Sequence, residues 1–305
     1  MRFNGLDLNL LVALDVLLEE KNVSRAAGRL NITQSALSNS LARLRDYFDD
    51  EILVLVGRTM QLTPHGEALK DSIRDILVRI EASVIAKPAF DPATSDRLFK
   101  ISASDFTLAT LMPLANKIIS TQCNSIRLHF LPQTDNPTRS LERGDVDILI
   151  IPSPYSSEEH PSHQLFTEEF VCIADRNNPL CQNDHITLQQ FSDAQHVALK
   201  LSHGKLSFET MAMEEIAVQR NISTLSYNFS TLPYLVLGTN KIATIHRRLA
   251  STIAKKLPVK VFGLPFDFPK MHQVLQWHKY RSNDQGLIWL RGVFQEAAKK
   301  LSIQG

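Results

Sequence analysis

Residues Ser24–Arg45 read SRAAGRLNITQSALSNSLARLR and predict two short helices joined by a tight turn. Ser24 suits the N-cap of the first helix, and Asn31 ends it because asparagine tolerates the left-handed conformation of a sharp turn. Thr33 then caps the second helix, whose leucines recur at spacings of four and three residues and share one face. These inward-facing leucines are Leu37, Leu41 and Leu44.

The opposite face of the second helix carries short polar side chains, which suit base edges and phosphates. Five basic residues and no acid lie between Lys21 and Arg45, so this patch is typical of a surface that meets a phosphate backbone. The alternative is an ordinary helical hairpin with a polar face in solvent. The candidate DNA contacts here are Arg25, Thr33, Gln34, Ser35, Ser38, Asn39 and Arg43.

Two further elements flank the helix pair. The leucine spacing over Leu6–Glu20 predicts a helix that packs behind the pair. Strand-like runs on either side of Gly57 predict a β-hairpin within residues 52–62, which beside such helices is a wing. Arg58 at its tip is a candidate for a phosphate or minor-groove contact, and a solvated turn arginine is the equal alternative.

A long helix is predicted to open at Thr63 and Pro64, where Pro64 suits the first helical position and Glu67 completes a capping box. Pro88 stops this helix, and the turn formers in residues 90–95 predict a hinge. Its apolar residues form a nearly heptad seam, which either mediates dimerisation or belongs to a core within one chain. The seam consists of Leu69, Ile73, Ile76, Ile80 and Val84.

Beyond the hinge, strand-like and helix-like runs alternate, and this order predicts a mainly parallel sheet covered by helices. The first set includes a strand over 98–104 and one continuous helix over 106–121 despite Pro113. A second, similar set begins near Glu169, so the region predicts two α/β lobes. A helix over 284–301 closes the chain.

Several segments resemble LysR-type transcriptional regulators. In the N-terminal domain these are SRAAGRL at 24–30, TQSALS at 33–38, LARLRDYFDD at 41–50 and LTPHGEAL at 62–69. Three further segments resemble one branch of that family, the nodulation regulators and the naphthalene- and salicylate-responsive regulators. These segments are MRFNGLDLNLL at 1–11, FDP at 90–92 and RGDVD at 143–147. Ser35 departs from the pattern, since many relatives have a proline there.

The resemblance implies an α/β fold class: an N-terminal winged helix-turn-helix, a long linker helix, and a two-lobe α/β effector domain like the periplasmic binding proteins. The implied boundaries are 1–63 for DNA binding, 64–90 for the dimerising linker helix and hinge, and 91–305 for the effector domain. Its lobes comprise about 91–165 plus 271–305, and 166–270. The implied assembly is a homodimer through the linker helix, built into a tetramer, with RNA polymerase as a further partner.

Candidate effector contacts lie where predicted strands end, the usual position of a ligand in an α/β sheet. In the first lobe, hydroxyls and free helical N–H groups would suit a carboxylate or phenolate. In the second lobe, resemblance to the salicylate-type regulators carries an arginine position onto Arg248 and a polar loop position onto His203, with Arg247 as the adjacent alternative. A cap, a solvated charge, a surface histidine or core packing is the competing interpretation for each residue. The candidates are Ser104, Asp105, Thr107, His203, Phe229, Arg247 and Arg248.

Composition narrows the class further. A net charge of +1 gives no bulk attraction to nucleic acid, so DNA binding must come from a local patch. The three cysteines have neither disulfide nor metal spacing, and the common catalytic motifs are missing, so we expect no enzyme activity, cofactor or metal. No apolar run resembles a signal peptide or a membrane span, so we expect a cytoplasmic protein.

The sequence thus predicts a transcriptional regulator that binds double-stranded operator DNA and responds to a small-molecule effector. The expected effector is aromatic or phenolic, and it is anionic if the arginines contact it. The alternative is a small-molecule binding protein whose N-terminal helices mediate protein interaction.

Overall fold

The computed structural model describes residues 2–3, 6–85, 90–123, 125–134, 136–200 and 207–304. Residues 1–87 and 88–305 form two compact units, each with its own apolar core. Among the described helices, none combines the length and apolar character needed to cross a lipid bilayer.

The first unit is mainly helical. Its described elements are β1 (Arg2–Phe3), β2 (Leu6–Asp7), α1 (Asn9–Glu20), α2 (Val23–Leu30), α3 (Gln34–Phe48), β3 (Leu53–Val56), β4 (Thr59–Leu62) and α4 (Pro64–Ile80). Leu14, Leu17 and Leu18 of α1 are fully buried, and α2, α3 and α4 all pack on this helix. Helix α1 starts at Asn9 rather than at the predicted Leu6, because β2 pairs with β1.

The helix pair of α2 and α3 is capped at one unexpected position. The side chain of Asn22, rather than that of Ser24, caps α2 by accepting a backbone N–H at 2.9 Å. The Ser24 hydroxyl instead donates to Oε1 of Gln34 at 2.9 Å and ties the two helices together. Asn31 ends α2 in the left-handed conformation with a φ of 55°, and Thr33 caps α3, so both of these predictions are confirmed.

The wing and the start of α4 follow the predicted local pattern. Strands β3 and β4 form an antiparallel hairpin that turns at Gly57, whose φ of 64° is the left-handed region glycine favours. The Thr63 hydroxyl caps α4 by accepting the N–H of Gly66 at 3.0 Å. The predicted capping box is wrong, because the Glu67 carboxylate pairs with Lys21 at 3.0 Å instead.

The predicted seam of α4 divides between two environments. Leu69 and Ile73 pack into the core of the first unit, whereas Ile76 is 41% exposed. Leu69 and Ile73 are therefore used within their own unit, as the core alternative expects, and dimerisation through the seam stays a prediction. A π-helical turn over Glu81–Ile85 follows α4, and the predicted stop at Pro88 lies outside the described residues.

The second unit contains two mixed sheets. Sheet I is formed by β5 (Leu98–Ala103), β6 (Arg127–Leu131), β7 (Ile148–Pro152), β8 (Ser162–Glu168) and β14 (Met271–Gln276), in the order β6-β5-β7-β14-β8. Sheet II is formed by β9 (Phe170–Asp175), β10 (Gln195–Leu199), β11 (Asn221–Ser226), β12 (Ile242–His246) and β13 (Val259–Phe262), in the order β11-β10-β12-β9-β13. The helices are α5 (Asp105–Thr110), α6 (Met112–Gln122), α7 (Pro137–Glu142), α8 (Leu188–Asp193), α9 (Phe208–Glu215), α10 (Leu232–Val236), α11 (Arg247–Ile253) and α12 (Gln285–Gln304).

Each sheet is parallel on one side and antiparallel on the other. In sheet I, β6 and β7 run parallel to β5, whereas β14 is antiparallel to β7 and β8. In sheet II, β11 and β12 run parallel to β10, whereas β9 is antiparallel to β12 and β13. The prediction of a mainly parallel sheet is therefore wrong. The strands at the connections between the two sheets, β8 and β14 in sheet I and β9 and β13 in sheet II, pair antiparallel with their neighbours.

The connections between the sheets define two lobes within the second unit. The chain leaves sheet I for sheet II at Glu169 and returns within residues 263–270. The predicted helix over 106–121 is divided into α5 and α6 near Leu111, because Pro113 lacks the N–H of a continuous helix.

The segment predicted as a hinge is an ordered turn in this unit. The backbone carbonyl of Asp91 accepts the N–H groups of Thr94 and Ser95. The ring of Phe90 packs against Trp289 with a centroid distance of 5.6 Å.

Candidate DNA-binding surface and effector cavity

Helix α3 has one buried apolar face and one accessible polar face. Leu37, Leu41 and Leu44 are at most 4% exposed. The polar side chains opposite them are exposed and remain available to a DNA groove. These predicted contacts are Gln34, Ser35, Ser38, Asn39 and Arg43.

Thr33 acts as a structural residue at the start of α3. Its Oγ1 accepts the N–H of Ala36 at 3.2 Å and lies 3.2 Å from Oγ of Ser35. Because this hydroxyl fixes the first turn, Thr33 also positions the neighbouring Gln34.

The arginines of the predicted DNA-binding surface have acidic neighbours. The Nε atom of Arg25 lies 3.2 Å from a carboxylate oxygen of Glu20, and Nη2 of Arg43 lies 3.4 Å from Asp7. The run from Lys21 to Arg45 contains no acid in sequence, but α1 and β2 bring Glu20 and Asp7 next to it in the fold. The side chains of Arg25 and Arg43 are 66% and 49% exposed, so solvent screens both pairs and each contributes little to stability. Arg58 at the wing tip is also exposed.

The second unit has a cavity of about 540 Å³ that is lined from both sheets. The rings of Phe106, Phe170 and Phe229 line it together with the carboxylates of Asp105 and Glu209. Among the described lining residues there is no lysine or arginine. This size and apolar character are typical of a binding site for a small molecule.

Of the seven predicted effector contacts, six lie in the part of the chain that the structure describes, and three of these line the cavity. Thr107 is fully buried behind the cavity, and its Oγ1 accepts from Nε2 of Gln273 at 3.2 Å. His203 lies outside the described residues. The predicted contacts that line the cavity are Ser104, Asp105 and Phe229.

The start of α5 is already occupied by the protein's own polar groups. The Ser104 hydroxyl accepts the N–H of Thr107 at 3.3 Å, as the capping alternative required. The Asp105 carboxylate reaches across to the other lobe, where it accepts from the N–H of Ser230 at 2.7 Å and from its hydroxyl at 2.8 Å. The N–H of Thr107 is thus used within the protein, and the predicted anion site at this helix start stays a prediction.

Both predicted arginines form ion pairs outside the cavity. Nη1 of Arg248 lies 2.8 Å from Oε2 of Glu168 and 2.7 Å from the carbonyl of Thr167. Nε of Arg247 lies 2.9 Å from Oε2 of Glu169. Neither side chain is among the described residues that line the cavity, so the predicted arginine contact with the effector stays a prediction.

His246, at the end of β12, lines the cavity but was not predicted as a site residue. Its ring stacks on Phe106 at a centroid distance of 3.6 Å and meets Phe229 edge-on at 4.4 Å. Burial lowers the pKa of His246 to about 3, so the imidazole is neutral at pH 7. In the sequence, only its position at the end of a strand indicates a ligand contact. The two arginines that follow it share this position and carry a positive charge, so they are the more evident candidates.

A buried ion pair supports the cavity wall at the start of α9. The Glu209 carboxylate pairs with Arg220 and accepts from the hydroxyls of Ser207 and Thr210, each at 3.2 Å. Burial raises the pKa of Glu209, and the Arg220 guanidinium opposes that shift. Because the guanidinium is committed to Glu209, the described part of this wall offers hydrogen-bond acceptors rather than a cation.

Comparison with protein families assigns both units. The family of bacterial regulatory helix-turn-helix proteins of the lysR type matches residues 8–67. The LysR substrate binding domain matches residues 93–299, which is more than half of the chain. The chain belongs to the LysR family of transcriptional regulators. The regulator therefore has a DNA-binding domain and an effector-binding domain, and its family is not one of enzymes, as predicted.

Known proteins of this family match the regulator over its whole length. Nodulation protein D 2 from Rhizobium leguminosarum bv. phaseoli is 37% identical over 302 residues, covering 99% of this chain and 95% of the relative. A full-length OxyR variant from Pseudomonas aeruginosa has a TM-score of 0.71 at 17% identity, with 96% and 95% of the chains covered. Full-length CbnR complexed with its target DNA has a TM-score of 0.61 at 14% identity, with 97% and 100% covered. These structures confirm the predicted fold class.

Proposed function

We propose that this LysR-type regulator controls transcription in response to a neutral aromatic compound bound in the cavity of the second unit. The observation that supports this proposal is the lining, which combines four phenylalanine rings, including that of Phe208, and two carboxylates with no lysine or arginine among its described residues. Aromatic side chains offer apolar area and favourable ring geometry to an aromatic ligand. Carboxylates accept hydrogen bonds from hydroxyl groups, so a phenol fits this lining best.

The charge of the wall argues against an anionic effector. Glu209 is paired with Arg220, but Asp105 accepts only from the neutral N–H and hydroxyl of Ser230, so a carboxylate ligand in the cavity would add a like charge beside it. Arg247 and Arg248, which were expected to compensate that charge, are paired with other carboxylates. We therefore propose a neutral phenol in place of the expected aromatic acid.

We further propose that α3 reads operator DNA in the major groove and that the arginines contact phosphates. The Ser24 hydroxyl holds Oε1 of Gln34, so the Nε2 group of that amide remains to donate to a base. CbnR, which shares this fold, was solved with its target DNA, and this supports DNA binding by the first unit. The proposed base contacts are Gln34, Ser35, Ser38 and Asn39, positioned by Thr33. The proposed phosphate contacts are Arg25, Arg43 and Arg58.

We also propose that the chain functions in three parts: 1–63 for DNA binding, 64–90 for dimerisation, and 91–305 for effector binding. The partner helix in a dimer would meet Ile76 and Ile80, because Leu69 and Ile73 are used in the core of the first unit. Two such dimers would form the tetramer. A separate role of the N-terminal helices in protein interaction is not favoured, because they match a DNA-binding family.

Calorimetry with the full-length regulator tests the effector class. A trihydroxyflavone serves as the neutral phenol and salicylate as the anion, at a mildly acidic pH that keeps the flavone uncharged. We expect the flavone to bind and salicylate to bind weakly or not at all. Tight binding of salicylate alone would contradict the proposal.

Selection of duplexes from a random pool, followed by mobility-shift assays, tests the DNA-binding part separately. We expect enrichment of one sequence class. A regulator that binds the flavone but enriches no duplex would support the interaction-domain alternative.

A further inference from the structure

Two side chains at the cavity carry buried polar atoms without a partner. Nδ1 of His246 and Oε1 of Gln273 have no hydrogen-bond partner, and their residues are 2% and 1% exposed. Both residues line the cavity. Buried polar groups are nearly always hydrogen-bonded, so two orphans in one cavity indicate a site that a ligand completes.

The two residues come from different sheets and meet at the first turn of α5. His246 ends β12 of sheet II, and its ring stacks on Phe106 with an interplanar angle of 6°. Gln273 lies on β14 of sheet I, and its Nε2 donates to Oγ1 of Thr107, the next residue along α5. The Thr107 contact fixes the amide, so its orphan Oε1 has a defined position.

We propose that His246 and Gln273 together recognise a phenolic hydroxyl of the effector, which reaches them when the Phe106 ring moves aside. This inference rests on the proposed function, because it assigns residues within the same cavity. A hydroxyl both donates and accepts, so it can satisfy the amide oxygen and the imidazole at once. A methyl ether of the same phenol has no proton to donate and leaves Oε1 of Gln273 unpaired.

The neutral state of His246 is part of the recognition. A neutral imidazole carries one donor and one acceptor nitrogen, whereas a protonated ring carries two donors. Burial holds the pKa of His246 at about 3, so the ring is neutral over the physiological range. In the tautomer that carries the proton on Nδ1, this N–H donates to the phenolic oxygen, while the proton of the hydroxyl goes to Oε1 of Gln273.

Two variants of the full-length regulator test this assignment. His246→Phe keeps an aromatic ring in the stack and removes both nitrogens, and Gln273→Met keeps an unbranched side chain and removes the amide. The probes are the trihydroxyflavone and its fully O-methylated ether, titrated by calorimetry. We expect each variant to bind the hydroxylated flavone about tenfold more weakly, since one partner of a buried hydrogen bond is lost. The ether has no proton for Oε1 of Gln273, so it should bind wild type and Gln273→Met equally.

His196→Phe is the matched control. His196 is also a fully buried histidine of sheet II with an orphan Nδ1, but it does not line the cavity. Its Nε2 contacts the carbonyl of Phe191 at 2.7 Å, so the control should lower the melting temperature without changing flavone affinity. His246→Phe has no such bond to lose, so its melting temperature without ligand should equal or exceed that of wild type.

The outcomes separate this inference from the proposed function. If wild type binds the flavone and both variants bind it with unchanged affinity, the two residues do not recognise the hydroxyl and the inference is overturned. If hydroxylated flavone and ether lose affinity equally in Gln273→Met, this residue contributes shape alone, which overturns it as well. If wild type binds neither probe, the phenolic effector class fails and the inference fails with it.

Discussion

Arg248→Ala should destabilise the second unit while leaving the effector cavity intact. The Arg248 side chain is 18% exposed, and it pairs with a Glu168 carboxylate that is 1% exposed. Its guanidinium also donates to the carbonyl of Thr167 and lies over the ring of Phe166 at 5.4 Å. Truncation therefore leaves a buried carboxylate that retains only the backbone N–H groups of residues 169 and 248, each at 3.2 Å.

The magnitude follows from the uncompensated charge. Removing one partner of a buried ion pair costs about 3–5 kcal/mol, and the partial exposure of Arg248 places it near the lower end. A loss of about 3 kcal/mol lowers the melting temperature of a unit spanning residues 88–305 by about 6–12 °C. Arg247→Ala is the control, because both side chains of the Arg247–Glu169 pair are over 40% exposed and such pairs contribute about 0–1 kcal/mol.

Thermal denaturation across pH measures this prediction. Burial raises the pKa of Glu168, and Arg248 opposes that shift, so the pKa should rise further in Arg248→Ala. A carboxyl whose pKa is raised in the folded state makes the protein less stable as the pH rises above the pKa of the unfolded state. The difference in melting temperature between wild type and Arg248→Ala should therefore shrink as the pH falls towards 4.5, the ordinary pKa of a glutamate. Glu168→Gln removes the buried charge, so adding it to Arg248→Ala should recover most of the lost melting temperature at neutral pH. Flavone affinity lost by Arg248→Ala, at unchanged melting temperature, would refute the structural role and return this arginine to the effector site.

Three further predictions concern the other parts of the regulator. Gln34→Ala should weaken binding to a selected duplex by about 1–3 kcal/mol and binding to random DNA very little; equal losses in mobility-shift assays would rule out base reading. Ile76→Asp changes a side chain that is 41% exposed, so the monomer should stay folded while light scattering shows a smaller oligomer; an intact oligomer would remove α4 from the dimer interface. Wild type should lose stability as the pH falls from 6.5 towards 3, because the depressed pKa of His246 makes the folded protein resist protonation, and His246→Phe should lose less over this range. Identical acid unfolding curves for the two proteins would contradict the buried neutral state.

Local features of the fold could be predicted because they depend on neighbouring residues. Asn31 and Thr33 mark helix ends through their own backbone and side-chain preferences, and Gly57 marks a turn that needs a positive φ. The leucine spacing of α3 specifies which face is buried, whatever packs against it. The same local reasoning mistook Ser24 for the cap of α2, since Asn22 offers an equally short side chain two residues earlier.

Contacts between distant residues could not be predicted from spacing. Arg248 and Glu168 are 80 residues apart, and nothing in either local pattern indicates that they meet. Glu20 and Asp7 return to the surface of the helix pair only through the packing of α1 and β2. The same limit hid His246, whose stacking partner Phe106 belongs to the other lobe.

The central claim is that a ligand in the cavity changes how the regulator holds its operator DNA. Energy transfer between dyes at the two ends of a selected duplex tests this claim most directly. The measurement follows the end-to-end distance during titration with the trihydroxyflavone, for wild type, His196→Phe and His246→Phe. We expect the distance to change with the same midpoint in the first two proteins and with a midpoint about tenfold higher in His246→Phe. A distance that stays constant while calorimetry shows the flavone bound, or one midpoint shared by all three proteins, would contradict control of DNA binding from this cavity.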